Sequence, residues 1–294
     1  LTDITLGENV KTLGDKAFYT CDALERVEIP STVTDIGEKT FYSCPALKEA
    51  IIRAGTVKAG TLYNCRALTT LVISDNATLD ASFTVGNTYA QEALETVKIE
   101  KGEIGDNAFS NCKNLTTVEL GGGVTSIGKS AFFKCTQLSS IAIGSGVTSI
   151  GTSAFNGCTT LTNANIGSGA IGESAFNGCT RLANVTLGNG VTSIGKNAFI
   201  RCAQIPSITI GSGVTSIGSG AFNGCTALTN ANIGSGAIGA NAFQDCSSLI
   251  TVTLGDGVTS IGANAFLRCT ALTSMNIGGS VTTIATYAFS NCTA

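Results

Sequence analysis

Histidine and tryptophan are absent from the 294 residues, methionine occurs once and proline three times. Without histidine, the side chain most often used to move protons near neutral pH is missing, and so is the commonest nitrogen ligand for zinc. Charged residues make up only 13% of the chain and leave a net charge of −3. No run of Lys and Arg forms the concentrated positive footprint that nucleic acid requires. No apolar stretch reaches the roughly 18–20 residues of a membrane-crossing helix, which argues against direct insertion into a bilayer, and no amino-terminal signal peptide is recognisable. What is abundant is glycine, at 36 residues, and apolar side chains, at 43%. That is enough apolar material for a core, so the low complexity does not indicate disorder.

The twelve cysteines expose a repeat. They stand at 21, 44, 65, 112, 135, 158, 179, 202, 225, 246, 269 and 292, mostly 23 or 21 residues apart, with one gap of 47 that spans two repeats. A representative unit runs from Val124-Thr-Ser-Ile127 through Ala131-Phe132 and Cys135 to Leu138-x-x-Ile141-x-Ile143. Its last segment alternates apolar and small polar residues, as a strand with one buried face does. Thirteen such strands are expected, opening at Leu1, Leu24, Leu47, Leu68, Leu94, Leu115, Leu138, Leu161, Leu182, Ile205, Leu228, Leu249 and Leu272. A unit of this length cannot bury its own apolar face, so neighbouring units must stack into one continuous core. Parallel strands about 4.8 Å apart would then form a sheet roughly 60 Å long.

The Val-Thr-Ser-Ile and Ala-Phe-x-x-Cys segments are assigned to the return path, the latter as a single helical or 3-10 turn because it is too short for a regular helix. Phe18, Phe41, Phe109, Phe132, Phe155, Phe176, Phe199, Phe222, Phe243, Phe266 and Phe289 should stack as a buried spine, with Leu62 filling one rung. Residues 144–210 and 211–277 are near-duplicate blocks, identical at 47 of 67 positions. In them the 21-residue units drop two residues before Ile171 and Ile238, which predicts tighter turns there. Residues 74–93 carry an insertion of about five residues, and Gln91 stands where a cysteine would be.

Ile-Gly-x-x-Ala-Phe-x-x-Cys-x-x-Leu-x-x-Ile-x-Ile, recurring about every 23 residues over essentially the whole chain, resembles the BspA-like leucine-rich repeats. The resemblance implies a right-handed leucine-rich-repeat solenoid over 1–294, with a parallel sheet on its concave face and short turns or 3-10 segments on the convex one. Its members are surface or secreted proteins associated with adhesion, so it also implies a cell-surface or secreted location and a protein or extracellular-matrix partner. Neither end shows an obvious polar cap, and uncapped solenoids expose core and sheet edge. The expectation is a segment of a longer protein, or end-to-end self-association.

Several motifs have a plain structural explanation. Cysteines spaced at the period of the fold are expected as a ladder of buried free thiols, since parallel inward-pointing side chains give poor disulfide geometry. No Cys-x-x-Cys occurs, so no metal site and no cofactor is expected. Gly167-Ser-Gly169-Ala-Ile-Gly172 and Gly234-Ser-Gly236-Ala-Ile-Gly239 match the G-x-G-x-x-G fingerprint. They lack the following multi-turn helix that would meet a pyrophosphate and are read as turn glycines. Tyr19, Tyr42 and Tyr63 follow the spine phenylalanine in successive units and should be partly buried against one another. Thr-Ser recurs before Ile127, Ile150, Ile194, Ile217 and Ile261, the kind of repetition seen on ordered-water faces.

Charge is divided unevenly: residues 1–134 hold 30 of the 37 charged side chains. Outward strand positions in the first part include Arg26, Glu28, Glu49, Arg53, Lys98, Glu100 and Glu119, which form the candidate binding surface. Later strands offer Asn163, Asn165, Asn184, Thr186, Thr209, Asn230, Asn232, Thr251, Thr253 and Asn276 instead. The overall expectation is a non-enzymatic binding or adhesion module, with a spacer or stalk that presents another domain as the alternative.

Overall fold

A computed structural model of the chain describes residues 1–86 and 92–294. Gln91 and the centre of the 74–93 insertion lie outside the described residues. Contacts gather the chain into two compact units, Leu1–Ser139 and Ser140–Ala294. Both are leucine-rich-repeat β-solenoids, built of parallel strands with almost no helix.

The first unit has six strands at the positions that the repeat predicts: Asp3–Thr5, Arg26–Ile29, Glu49–Ile52, Thr70–Ile73, Thr96–Ile104 and Thr117–Ile127. Each pairs in parallel with the next, so that Glu28, Ile51, Val72, Lys98 and Glu119 fall in one row across the sheet. The second unit has seven: Ser140–Ile143, Asn163–Ile171, Asn184–Ile194, Ser207–Ile210, Asn230–Ile238, Thr251–Ile261 and Ser274–Asn276. Alternation decides the faces. In Ser207–Ile210 the two isoleucines are buried and Ser207 and Thr209 are exposed.

Two expectations are corrected. The Val-Thr-Ser-Ile segment does not simply return the chain: its last two residues form a second parallel rung, as in Thr12–Leu13 with Asp35–Ile36 and Ser149–Ile150 with Ala170 and Ile171. Two residues are too few to show alternation, so the rung leaves no strand signal in sequence. The shortened coils contain no tighter turn before Ile171 and Ile238. The chain crosses the corner as one uninterrupted strand, Asn163–Ile171 or Asn230–Ile238, as the full-length coils do at Asn184–Ile194 and Thr251–Ile261. The eleven-residue partner strand absorbs its extra residues in register shifts. Gly169 and Gly236 turn that corner at φ values of 95° and 96°, and a Cβ on Gly169 would stand 2.8 Å from the Val147 carbonyl oxygen. These glycines therefore serve a corner within a strand, with no helix after them. Ser168 is buried beside the corner, its hydroxyl between the Ser145 and Val147 carbonyl oxygens at 2.9 and 2.5 Å.

The spine forms in both units. In the second, the rings of Phe155, Phe176, Phe199, Phe222, Phe243, Phe266 and Phe289 stack with centroids 5.1–5.4 Å apart, a spacing imposed by the strand separation. In the first, Phe18 stacks on Phe41 and Phe109 on Phe132, and Leu62 is fully buried. The sequence spine omits Phe83, which is fully buried and meets Phe109 at 6.0 Å with a 55° tilt. The irregular unit thus supplies its own rung, out of the register that the motif predicts.

The Ala-Phe-x-x-Cys segment is a series of turns, with the residue before Ala and the residue before Cys in the left-handed region. Ser153 and Gly157 show this at φ of 57° and 76°, and Lys16 and Thr20 at 56° each. All twelve cysteines are free. In most buried rungs the thiol points at the carbonyl oxygen of the preceding coil's phenylalanine, as in Cys202 to Phe176 at 3.2 Å and Cys269 to Phe243 at 3.2 Å. The cysteine column is a core component that also caps a backbone acceptor.

Candidate functional site

The first unit's sheet gathers the charged residues that the sequence singled out. Strand register sets Arg26 opposite Glu49, and the guanidinium reaches it at 2.7 Å while also reaching Glu28, two residues along the strand, at 2.7 Å. Arg53 extends the network from the next coil, donating to Glu28 at 2.9 Å and to Asp75 at 3.5 Å. Glu100 accepts the backbone N–H of Asp75 at 2.9 Å. Lys98 pairs with its register partner Glu119 at 2.9 Å. Of the seven expected residues, Arg26, Glu28, Glu49, Arg53 and Glu100 therefore join one network through Asp75, and Lys98 with Glu119 forms a separate pair farther along the row of Glu28.

Hydrogen bonds from Arg26 and then Arg53 hold the Glu28 carboxyl below its usual pKa. The same contacts, Glu28 before Glu49, raise the Arg26 guanidinium further. Every member stays partly exposed, with side-chain accessibilities of 35–57%. Ion pairs of that exposure each contribute under about 1 kcal/mol to folding.

Between the two charged groups lies a feature missed from the sequence. Ile51 and Val72 occupy outward strand positions in the row that runs from Glu28 to Lys98, and both are half-exposed. The available signal was a local break in alternation: Ala50-Ile51-Ile52 and Leu71-Val72-Ile73 are apolar on both faces. An apolar pair rimmed by charged groups has the arrangement of an interface core within its polar rim.

Two other sequence features resolve into structure. Tyr19, Tyr42 and Tyr63 stack at 5.2 and 5.1 Å, with the Lys16 and Lys39 ammonium groups each 5.9 Å from the ring three residues later. Tyr42 and Tyr63 are partly buried, as expected, whereas Tyr19 remains 43% exposed. Of the threonines before Ser-Ile, Thr125 and Thr215 turn their hydroxyls to the preceding coil, to the Gly102 and Thr192 carbonyl oxygens at 3.4 and 3.1 Å, and Thr34 and Thr282 do the same at the equivalent place in other coils. Those hydroxyls are engaged in stitching coils together, which accounts for the repetition without an ordered-water face.

The second unit's exposed strand positions carry amide and hydroxyl groups, registered in rows such as Asn163 with Asn184 and Asn232 with Thr253. Asn184 donates to the Asn163 side-chain oxygen at 2.7 Å. Charge is sparse, and Arg268 with Asp245 forms the short pair. Among the described residues, no group of three or more Cys, Asp or Glu side chains could hold a metal ion, and no helix is long and apolar enough to cross a membrane.

A solved structure shows the same architecture. A leucine-rich repeat protein from Bacteroides ovatus aligns at a TM-score of 0.62 and 25% identity, over 96% of this chain and 68% of the other. A leucine-rich cell surface protein from Faecalibacterium prausnitzii is 31% identical over 99% of this chain and 83% of its own, at a TM-score of 0.44. No curated, functionally described protein matches. The sequence pattern of the BspA type leucine rich repeat region matches in six copies over residues 1–84, 84–170 and 169–294. With cysteine, phenylalanine and strand recurring at the same places in both units, the chain belongs to the BspA-type leucine-rich-repeat family.

Proposed function

We propose that the chain is a non-catalytic protein-binding or adhesion module, displayed on a cell surface or secreted, and that it contacts its partner through the exposed sheet face of the first unit. One observation carries the reading: Ile51 and Val72 lie half-buried on the outward side of the same strand row as Glu28 and Lys98, within the ion pairs of Arg26, Glu28, Glu49, Arg53, Lys98 and Glu119. Stability does not account for that arrangement. The second unit builds the same coils with uncharged groups at the equivalent positions, and exposed ion pairs contribute little to folding. Complementary charge gives orientation and speed of encounter, while a small desolvated apolar centre gives affinity. The surface location and the extracellular-matrix partner rest on family resemblance.

The test is retention of the full chain on a panel of immobilised extracellular-matrix proteins. The expected result is retention by at least one of them, lost on Ile51→Asp at unchanged melting temperature. Retention by none, or retention unaffected by that substitution, would count against the reading. The alternative, a spacer that presents another domain, draws on the near-duplicate 67-residue blocks; it expects the Ile51 face to be indifferent to substitution.

A further inference from the structure

The second unit contains a groove on the exposed face of its first three strands. It occupies about 310 Å³, at the small end of the range for ligand sites, and is lined by Ser140, Ala142, Asn163, Asn165, Asn184 and Thr186 over Ile141 and Ala164. Strand register explains the depression. Ala142 stands beside Asn165, which stands beside Thr186, so a methyl group occupies the end of a row whose other members are longer.

The chemistry of the rim is uniform. Each polar side chain offers hydrogen bonds without charge, and an asparagine offers both donors and an acceptor. The amides are oriented in sequence: Asn184 donates to Asn163 at 2.7 Å, and Asn163 donates to the Thr162 hydroxyl at 2.8 Å. A charged ligand seated here would lose hydration with no counter-charge among the lining residues, which is costly. A sugar ring has no such cost. Its C–H face matches a methyl floor, and its hydroxyls both donate and accept.

Sixty-seven residues later the same scaffold recurs in the same register as Ser207, Thr209, Asn230, Asn232, Thr251 and Thr253. Two positions differ. Thr209 stands for Ala142, and Thr251 stands for Asn184 and removes the amide pair. The protein thus carries a copy of its own groove with a longer side chain at the place of the Ala142 methyl.

We propose that the groove at Ala142 binds a sugar ring of an uncharged polysaccharide, with the ring's C–H face on Ala142 and its hydroxyls on Asn165, Asn184 and Thr186. This site is separate from the protein-binding face proposed for the first unit. Calorimetric titration of the full chain with maltohexaose, cellohexaose and xylohexaose, and with the charged hexamer of galacturonic acid, tests it. At least one neutral hexasaccharide is expected to bind at one site per chain, with the charged hexamer at least tenfold weaker. Ala142→Thr should weaken binding at least tenfold at unchanged melting temperature, because threonine already occupies that place in the copy. Thr209→Ala combined with Thr251→Asn should raise the stoichiometry from one to two. Binding by none of the neutral sugars, equal binding of the charged hexamer, unchanged affinity in Ala142→Thr, or no second site in the double variant would overturn the proposal.

Discussion

The unit of residues 1–139 and the unit of residues 140–294 bury the same kinds of side chain at the same places in each coil and expose different ones. Phenylalanine, cysteine and the strand isoleucines, valines and leucines fill both cores. On the exposed sheet positions the first unit places arginine, glutamate, lysine and two apolar side chains, and the second places asparagine, serine and threonine. A coil's fold therefore constrains its inward half and leaves the outward half open. The two units also differ in how they meet the left-handed position before cysteine. The second uses Gly157, Gly178 and Gly224 in three coils and Arg201, Asp245, Arg268 and Asn291 in the other four, while the first uses no glycine there, with Thr20, Ser43, Asn64, Asn111 and Lys134. A side chain there costs about 1–2 kcal/mol relative to the right-handed backbone, so the second unit relieves in three coils a conformation that the first holds with side chains.

If the cores are equivalent, truncating a spine ring should cost the same in either unit. Phe109→Ala and Phe222→Ala are each expected to destabilise by about 3–5 kcal/mol, as for other buried phenylalanines, measured by denaturant unfolding of each unit's signal. A cost confined to one unit would break the equivalence. The thiols supply a second comparison. Burial pushes the Cys225 thiol up to about 12, and a pKa about three units above that of a free thiol leaves about a thousandfold less thiolate at neutral pH. In native protein, alkylation followed by mass spectrometry should label Cys21 and Cys292, which are only half-buried, and spare the ten buried cysteines in both units. Rapid labelling of Cys225 would contradict the common core.

Smaller effects sharpen the difference between the units. Thr20→Gly, at a φ of 56°, should stabilise by about 1 kcal/mol, and Arg201→Gly, at 62°, should do the same in a unit whose neighbouring coils already use glycine. Thermal melting of each variant checks both. Arg53→Ala is expected to cost under about 1 kcal/mol despite contacting two carboxylates, because its pairs are exposed. The pH dependence has a definite sign. Glu28 has a lowered folded-state pKa, so its contribution is present above the unfolded glutamate value and fades as pH falls through the folded one. Acid titration of the wild type and of Glu28→Gln should therefore converge at low pH.

Much of the architecture was legible because the period is carried by side chains with one feasible role. A phenylalanine and a cysteine every 21 to 23 residues, followed by Leu-x-x-Ile-x-Ile, place thirteen strands and the spine directly. The second rung at Ser-Ile was not legible, since two residues show no alternation. Phe83 was hidden because its coil departs from the spacing that made the other rungs visible. At the candidate site the outward charges could be read from alternation alone. Their pairing could not, because Arg26 with Glu49 and Arg53 with Glu28 depend on which coil lies beside which. Ile51 and Val72 were missed because apolar residues in a strand are read as core until register shows which face they are on.

The central claim is that protein recognition belongs to the first unit's exposed face and does not need the second copy of the duplicated block, residues 211–277. The most direct test compares two variants for retention on the matrix-protein panel. One carries Arg26→Asn, Glu28→Thr, Ile51→Asn and Val72→Thr, giving the first unit the uncharged face of the second. The other deletes residues 211–277, which removes one 67-residue copy and keeps the repeat in register. Loss of retention in the first variant, with retention kept in the second, is the predicted result. Retention kept in the first and lost in the second would contradict it.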